Sequence, residues 1–385
     1  MTRTVRPLPA LAAVVAIVLG AWAAFSPLAA DDQAMSDQGP TLRDLADQRG
    51  LKIGTAVSPG GFYDTPYMAL VDRHFSLVVP EYGAYMTDIR PTPEHWDFWA
   101  LDQVVAAAQK HGQQVRGHTL VYGVSSGHDT YGGWTPTPAW VHEKDMSREE
   151  AVALLQEYIE TVMSRYAGTI NEWIVVNEPM GSQFGARRVD GVLFSPNVWF
   201  EKIGPDYVKL AFEHARRVDP NAKLIINEWG ADFLGQDYNK YDRLKEYYKL
   251  VAYLIKQGTP IDGVGFQFHL QPGLDYPKSQ AVVENFERFA ALGLSTHITE
   301  LDVRVREPVT AKKLKKQAAL FSNVFFGALK SPSTEDVVLW GFTDRYSWIT
   351  AGTSFRGYGA GTIMSKDLRL YPSFEAIRKR LAGSG

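Results

Sequence analysis

Short apolar runs rich in β-branched residues alternate with longer amphipathic stretches from about residue 41 to the end of the chain. Runs of this kind are typical of buried strands. They are Leu51–Val57, Phe75–Glu81, Gln114–Tyr122, Glu172–Asn177, Lys223–Asn227, Gly263–Phe268, Thr296–Leu301 and Val337–Phe342. The amphipathic stretches predict helices, and they include Glu94–Lys110, Arg148–Ala167, Asp206–Val218, Asp242–Gln257, Ala281–Leu292, Ala311–Leu329 and Ser373–Leu381. The alternation therefore predicts repeated strand–helix units.

Eight such units predict an α/β fold in the form of a single (β/α)8 TIM barrel over residues 41–382. The competing architecture is a doubly wound open sheet. That fold normally opens with a glycine-rich phosphate turn after its first strand, and Gly54-Thr55-Ala56 does not match the motif. Neither an internal repeat nor a long low-complexity linker interrupts the pattern, so we expect one domain.

The first 30 residues have the pattern of a secretory signal peptide. Two arginines within the first six residues precede the apolar run Leu8–Phe25, and small residues end at Ala30 before two aspartates. The alternative is an uncleaved membrane anchor, because the run is close to the length that spans a bilayer. Residues 31–40 predict a flexible polar tail. After cleavage the protein would be secreted or periplasmic and would have no membrane partner.

Composition removes several classes of function. With 45% hydrophobic residues among 385, the chain has ample material for a core, and the absence of cysteine excludes disulfide scaffolds and thiol nucleophiles. Lys plus Arg is 40 against 43 for Asp plus Glu, which argues against a nucleic-acid partner. The nine histidines show no metal-ligand spacing, and no nucleotide or flavin motif occurs, so we expect neither a metal nor a cofactor.

Acidic residues stand where predicted strands end, which is where barrel enzymes carry their catalytic groups. Glu178 and Glu300 each follow a buried run directly. Two carboxyl groups at one barrel mouth are the minimum set for cleaving a glycosidic bond, because one donates a proton while the other stays ionised. Each could instead be a structural ion-pair partner. Glu228 also ends a strand, so this pattern alone leaves open which two acids are catalytic.

Five segments add a family resemblance, and each falls on a predicted strand end. They are Arg116–Val121, Trp173–Glu178, Gly265–Leu270, Ile298–Val303 and Trp340–Trp348. With these segments in this order, the chain resembles glycoside hydrolase family 10, the endo-β-1,4-xylanase family, over nearly all of residues 41–382. The resemblance implies a retaining double displacement with Glu178 as acid/base and Glu300 as nucleophile, and it implies that Glu228 is not catalytic.

The same resemblance suggests supporting roles. Asn177 would hydrogen-bond the 2-hydroxyl of the sugar, and His269 would donate to the nucleophile, with Asp302 tuning the imidazole. Indole rings cover the apolar face of a pyranose, which suits two of the tryptophans. The residues expected to bind substrate are Glu81, His118, Tyr122, Gln267, Trp340 and Trp348.

Some positions depart from the family pattern on the side that binds the non-reducing, or glycone, sugars. Glu81 is kept, but tyrosines at 82 and 85 replace the usual Asn and Lys. Tyr122-Gly123 replaces Trp-His, and an inserted loop, Val124–Pro138, follows on the catalytic face. Because tyrosine cannot replace the charged donors of lysine, we expect altered recognition of these sugars.

The expected partner is therefore a polysaccharide or oligosaccharide, with xylan as the family default and a substituted or different β-glycan as the alternative. Two other classes of function remain: a non-catalytic carbohydrate-binding barrel, and a metal-dependent hydrolase on the same fold. Retention of both glutamates argues against the first, and the scattered histidines argue against the second. We expect a monomer.

Overall fold

The computed structural model describes residues 39–123, 135–180, 186–236, 242–351 and 355–383. The predicted signal peptide, most of the predicted tail, and residues 124–134 of the inserted loop lie outside these ranges. The predictions that concern them remain predictions.

Eight parallel strands form a closed barrel. They are β1 Lys52–Val57, β2 Leu77–Pro80, β3 Gln114–Tyr122, β4 Glu172–Asn177, β5 Lys223–Glu228, β6 Gly263–Phe266, β7 Ser295–Val303 and β8 Thr334–Leu339. They lie in chain order, and β8 pairs with both β7 and β1, which closes the sheet. The prediction of a (β/α)8 barrel is confirmed.

One long helix follows each strand. The helices are α1 Thr65–His74, α2 Trp99–Lys110, α3 Arg148–Arg165, α4 Tyr207–Val218, α5 Arg243–Lys256, α6 Ser279–Ala290, α7 Ala311–Lys330 and α8 Pro372–Leu381. Local signals set their starts: Ser147 and Glu150 form a capping box at α3, and Thr310 caps α7. Within the described ranges, no helix has the length and apolar character needed to cross a membrane.

Shorter elements decorate the barrel. The helices are Leu42–Asp47, Pro59–Gly61, Met86–Ile89, Ala139–Glu143, Val198–Ile203 and Trp348–Ala351, and the strands are Arg187–Val189, Val192–Phe194, His269–Leu270, Val305–Arg306 and Tyr358–Ala360. Of these, the strand His269–Leu270 bears on function, because it pairs with the end of β7.

Three of the boundaries that differ from the sequence prediction have a clear physical reason. Helix α2 begins at Trp99 rather than Glu94, where the Asp97 carboxylate accepts the Trp99 amide at 2.9 Å. Strand β6 ends at Phe266, since Phe268 has a φ of 58° and leaves the extended conformation. Strand β8 begins at Thr334, earlier than its apolar run, and includes a buried aspartate, Asp336.

That aspartate belongs to a charged cluster that fills the barrel interior near the start of the strands. Arg116 contacts both Asp336 and Glu172, the latter at 2.9 Å, and His297 Nδ1 lies 2.6 Å from Asp336. Burial opposes ionisation of Asp336, but Arg116 and His297 outweigh it and hold its pKa well below the usual value. Because these charges are paired with one another, they can be buried inside the barrel. The opposite end of the barrel, where the strands terminate, remains for the functional site.

Candidate active site

Glu178 directly follows β4 and has an unusual backbone conformation. Its φ is 54°, in the left-handed region that side-chain-bearing residues seldom adopt, and its amide donates to the Asn227 carbonyl at 2.9 Å. Three donors reach Oε1: the Tyr122 hydroxyl at 2.8 Å, Gln267 Nε2 at 3.0 Å and Asn177 Nδ2 at 3.5 Å. Backbone strain of this kind is typical of functional sites.

The environment of Glu178 favours its protonated form. Burial raises the pKa of this carboxyl, and the negative charge of Glu300 raises it further. Hydrogen bonds from Gln267 and Tyr122 act in the opposite direction, because they stabilise the carboxylate, yet the net pKa stays above its usual value. A group of this kind can hold a proton for donation at a pH where an exposed glutamate has lost it.

Glu300, on β7, is held between two nitrogen donors. Asn227 Nδ2 donates to Oε1 at 2.7 Å, and His269 Nε2 lies 3.3 Å from Oε2. The other ring nitrogen of His269 lies 2.9 Å from the Asp302 carboxylate. Burial opposes protonation of His269, but the charges and hydrogen bonds of Asp302 and Glu300 raise its pKa to about 10. The imidazolium therefore places a positive charge beside the Glu300 carboxyl group.

Asn227 joins the two halves of the site, and the sequence analysis missed it. Its Nδ2 donates to Asn177 Oδ1 at 2.8 Å as well as to Glu300, and its Oδ1 accepts the Thr299 hydroxyl at 2.7 Å. The signal was its position at a strand end, one residue before Glu228. The sequence analysis considered Glu228, whereas the side-chain amide of the neighbouring Asn227 makes the contact with Glu300.

Glu228 itself is directed away from this network. Its oxygens accept the backbone amides of Met180 at 2.9 Å and Trp229 at 3.1 Å, and Arg243 at 2.7 Å. Burial raises the pKa of Glu228 to about 8, although Arg243 works in the opposite direction. Because both of its oxygens already accept hydrogen bonds from protein donors, Glu228 has a structural role.

Aromatic side chains predicted to bind sugar lie around Glu300 and His118. The Trp340 ring is 5.1 Å from His118, and the Trp348 ring is 4.9 Å from His269. Trp348 Nε1 also donates to Asp302 Oδ2 at 2.8 Å, a contact the sequence analysis did not foresee. Burial lowers the pKa of His118, which favours the neutral ring.

Glu81 and two of the substituted tyrosines form the adjoining wall. Burial raises the pKa of Glu81 to about 8, and the charge of Asp302 adds to the effect. Tyr85 is buried, with its ring 5.6 Å from His118 and 5.9 Å from Tyr122, whereas Tyr82 is 40% exposed. The predicted residues thus group around Glu178, around Glu300, and along this wall.

A short strained segment carries a contact to each glutamate. Gln267 donates to Glu178 and His269 to Glu300, while Phe268 between them has a φ of 58°. The Phe268 amide donates to Asp232 Oδ1 at 3.1 Å. Asp232 is a second residue that the sequence analysis missed, since it lies in an irregular loop with no strand-end position to mark it.

A known protein family matches most of the chain. The model of the family described as glycosyl hydrolase family 10 matches residues 41–380. The chain belongs to that family. It is therefore an endo-1,4-β-xylanase-like glycoside hydrolase, as the resemblance implied.

Individual relatives are similar over most of their length. The chain is 31% identical over 354 residues to endo-1,4-beta-xylanase B of Thermotoga neapolitana, covering 90% of this chain and 93% of that protein. It is 32% identical to endo-1,4-beta-xylanase 1 of Humicola insolens, covering 89% and 74%. The crystal structure of xylanase 10B from Thermotoga petrophila RKU-1 in complex with xylobiose superposes with a TM-score of 0.78 at 30% identity, covering 90% of this chain and 98% of that one.

Proposed function

We propose that this enzyme cleaves β-1,4-linked glycans of the xylan class with retention of configuration, using Glu178 as acid/base and Glu300 as nucleophile. The observation that carries the proposal is the difference between the two carboxyl groups. Burial and a neighbouring charge raise the pKa of Glu178, whereas Glu300 lies between Asn227 and a histidine whose pKa is raised to about 10. Two carboxyl groups with opposed environments are the pattern of acid and nucleophile.

In the first step the Glu300 carboxylate attacks the anomeric carbon and the bond to the glycosidic oxygen breaks. Glu178 transfers its proton to that oxygen, so the leaving saccharide departs as a neutral alcohol. The sugar is left as an ester on Glu300. We expect Asn177, which Asn227 orients, to hydrogen-bond the 2-hydroxyl of the reacting sugar.

In the second step Glu178, now a carboxylate, removes a proton from water, and the water oxygen attacks the same carbon. The ester bond breaks and Glu300 regains its charge. The structure supports this exchange of roles, because the negative charge of Glu300 is one cause of the raised pKa of Glu178. Esterification removes that charge and so lowers the pKa of Glu178. Glu178 therefore stays ionised after the first step and can act as a base.

Two observations bear on the substrate within this class: the activity of the relatives and the aromatic residues around Tyr85. The relatives compared above are xylanases, and the solved neighbour holds xylobiose. The side expected to bind the glycone sugars nevertheless carries tyrosines at 82, 85 and 122. Such a surface holds sugars by ring contact more than by charged donors, which favours a substituted or different β-glycan as the second candidate.

A product profile combined with anomer analysis tests the proposal. The enzyme is incubated with xylan, glucomannan and mixed-linkage glucan, and early products are followed by proton NMR. We expect β-anomers to form first, with cleavage of at least one β-1,4-glycan and none by Glu300→Gln. Initial α-anomers would contradict retention, and binding without turnover on every glycan would support the carbohydrate-binding alternative.

Export is a separate proposal. The signal pattern of residues 1–30 supports a secreted or periplasmic enzyme that is released after Ala30. We expect it to act as a monomer. N-terminal sequencing of the exported protein should begin at Asp31, whereas an intact leader in the membrane fraction would indicate the anchor.

A further inference from the structure

The hydroxyl group of Tyr122 touches the acid/base carboxyl, not only the space where sugars would lie. We propose that Tyr122 is a positioning residue for Glu178: its hydroxyl occupies Oε1 and so directs the catalytic proton to Oε2. The inference rests on the proposed function. It differs from the role in substrate binding that the sequence predicts for Tyr122.

The hydrogen bonds to Glu178 are one-sided. The Tyr122 hydroxyl at 2.8 Å and Gln267 Nε2 at 3.0 Å both donate to Oε1, and Asn177 Nδ2 adds a longer contact at 3.5 Å. A carboxyl oxygen has two lone pairs, so the two shorter bonds fill Oε1. Within the described residues no protein donor reaches Oε2. The proton of the acid form therefore belongs on Oε2.

Backbone packing brings Tyr122 to this position. Tyr122 pairs with Asn177 across β3 and β4, and the next amide, that of Gly123, donates to the Asn177 carbonyl at 2.7 Å. A Cβ atom at Gly123 would lie 2.2 Å from the Glu178 carbonyl oxygen. Only glycine lets the strand end follow the left-handed backbone of Glu178 so closely. Tyr122 and Gly123 thus pack together against Glu178.

The one-sided arrangement has a chemical consequence. Oε2 donates the proton to the leaving group in the first step and accepts a proton from water in the second, so one oxygen serves both steps in one orientation. The hydrogen bond from Tyr122 stabilises the carboxylate and so counteracts part of the rise in pKa that burial causes. Loss of the hydroxyl should therefore make Glu178 harder to deprotonate.

Other charges around Glu178 stay in place when Tyr122 is changed. They are Glu300 on β7, Glu228 on β5 and Arg243 on α5. His269 adds a positive charge next to Glu300. These groups lie on other strands and helices than Tyr122, so their charges act on Glu178 both in the wild type and in Tyr122→Phe.

The test is a carboxyl carbon-13 NMR titration of the full-length enzyme, with the Glu178 signal assigned through Glu178→Gln. In Tyr122→Phe we expect the pKa of Glu178 to rise by about one unit, the effect of losing one charge-assisted hydrogen bond. The basic limb of kcat/KM, which reports the acid of the free enzyme, should move up equally. As a matched control, Tyr371→Phe removes a phenol–carboxylate bond of 3.0 Å to Asp344 and should move neither.

A second variant tests the donor without removing the ring. Replacing Tyr122 by 3-fluorotyrosine strengthens the phenol as a donor and should lower the pKa of Glu178, opposite to Tyr122→Phe. An unmoved titration in both variants would overturn the inference. A changed KM with an unmoved basic limb would also overturn it and assign Tyr122 to sugar binding. The titration needs no turnover, so a wild-type enzyme without hydrolase activity would refute the proposed function and leave the positioning contact to be judged by NMR alone.

Discussion

Replacement of Asp302 by asparagine tests the electrostatic support of the nucleophile. Asp302 is fully buried and accepts one ring nitrogen of His269 at 2.9 Å, while the other ring nitrogen faces Glu300 at 3.3 Å. Asparagine keeps the size of the side chain and one accepting oxygen but removes the charge. Without that charge the imidazolium has lost its main stabilising partner, and burial, which opposes protonation, remains.

The magnitude follows from the size of such interactions. A neighbouring opposite charge typically shifts a pKa by about 1–3 units, so Asp302→Asn should lower the pKa of His269 from about 10 by that amount. Loss of a well-placed charged donor to Glu300 costs about 1.5–3 kcal/mol, or roughly 10- to 150-fold in kcat/KM. The loss should grow as the pH rises, because more of the variant's His269 becomes neutral.

Nitrogen-15 NMR of the histidine rings between pH 5 and 10 measures this directly. Wild-type His269 should stay protonated through neutral pH, and the variant should titrate within the range. Trp348→Phe is the control, since it removes the indole that also donates to Asp302 at 2.8 Å but keeps the carboxylate. A neutral His269 in the wild type at pH 7, or an unchanged titration in Asp302→Asn, would refute the reasoning.

The same pair makes stability depend on pH. The pKa of His269 is raised from 6.5 to about 10 in the folded state. Its stabilising contribution is therefore fully present below about 6.5 and is lost as the pH rises through about 10. Unfolding by denaturant should show this loss in the wild type, and a smaller loss at lower pH in Asp302→Asn.

Three further predictions concern the acid/base and the backbone around it. Glu178→Ala should retain cleavage of aryl glycosides with good leaving groups and form a β-glycosyl azide when azide is added; equal loss on good and poor leaving groups would assign Glu178 another role. Gly123→Ala should lose most activity, because its Cβ would lie 2.2 Å from the Glu178 carbonyl oxygen, whereas Gly60→Ala, with its nearest neighbour atom at 3.7 Å, should be tolerated. Asp232→Ala leaves the Phe268 amide without its 3.1 Å acceptor and should lower kcat, while Asp232→Asn, which still accepts, should restore it; equal loss in both would contradict the role of the hydrogen bond.

The strand pattern was enough to predict the barrel, and strand-end chemistry placed Glu178, Glu228 and Glu300 at its mouth. The family resemblance then singled out Glu178 and Glu300. Buried parallel strands have a strong apolar signature, and a glutamate directly after such a strand must face the barrel mouth or a buried partner. Strand β8 shows the limit of this signal. Its first residues include the buried Asp336, whose partners Arg116 and His297 come from other strands, so the apolar run marked its start too late.

The contacts that orient the glutamates were beyond the sequence for a different reason. Asn227 bridges Asn177 and Glu300 because its strand lies between theirs, with the three side chains turned into one mouth. The Tyr122–Glu178 bond depends on a left-handed backbone at Glu178, which no propensity of glutamate predicts. The substitution at position 122 was visible as a departure, but its target was not.

The most direct test of the central claim is to trap the glycosyl-enzyme with a 2-fluoro-xylobiosyl fluoride and to locate the label by mass spectrometry of the digested protein. The fluorine slows both steps, and the good leaving group lets the first one proceed. The account predicts one 2-fluoro-xylobiosyl group per chain, attached to Glu300, and no label on the Glu300→Gln variant. A label on Glu228, or turnover of xylan by an enzyme that never takes up the label, would contradict it.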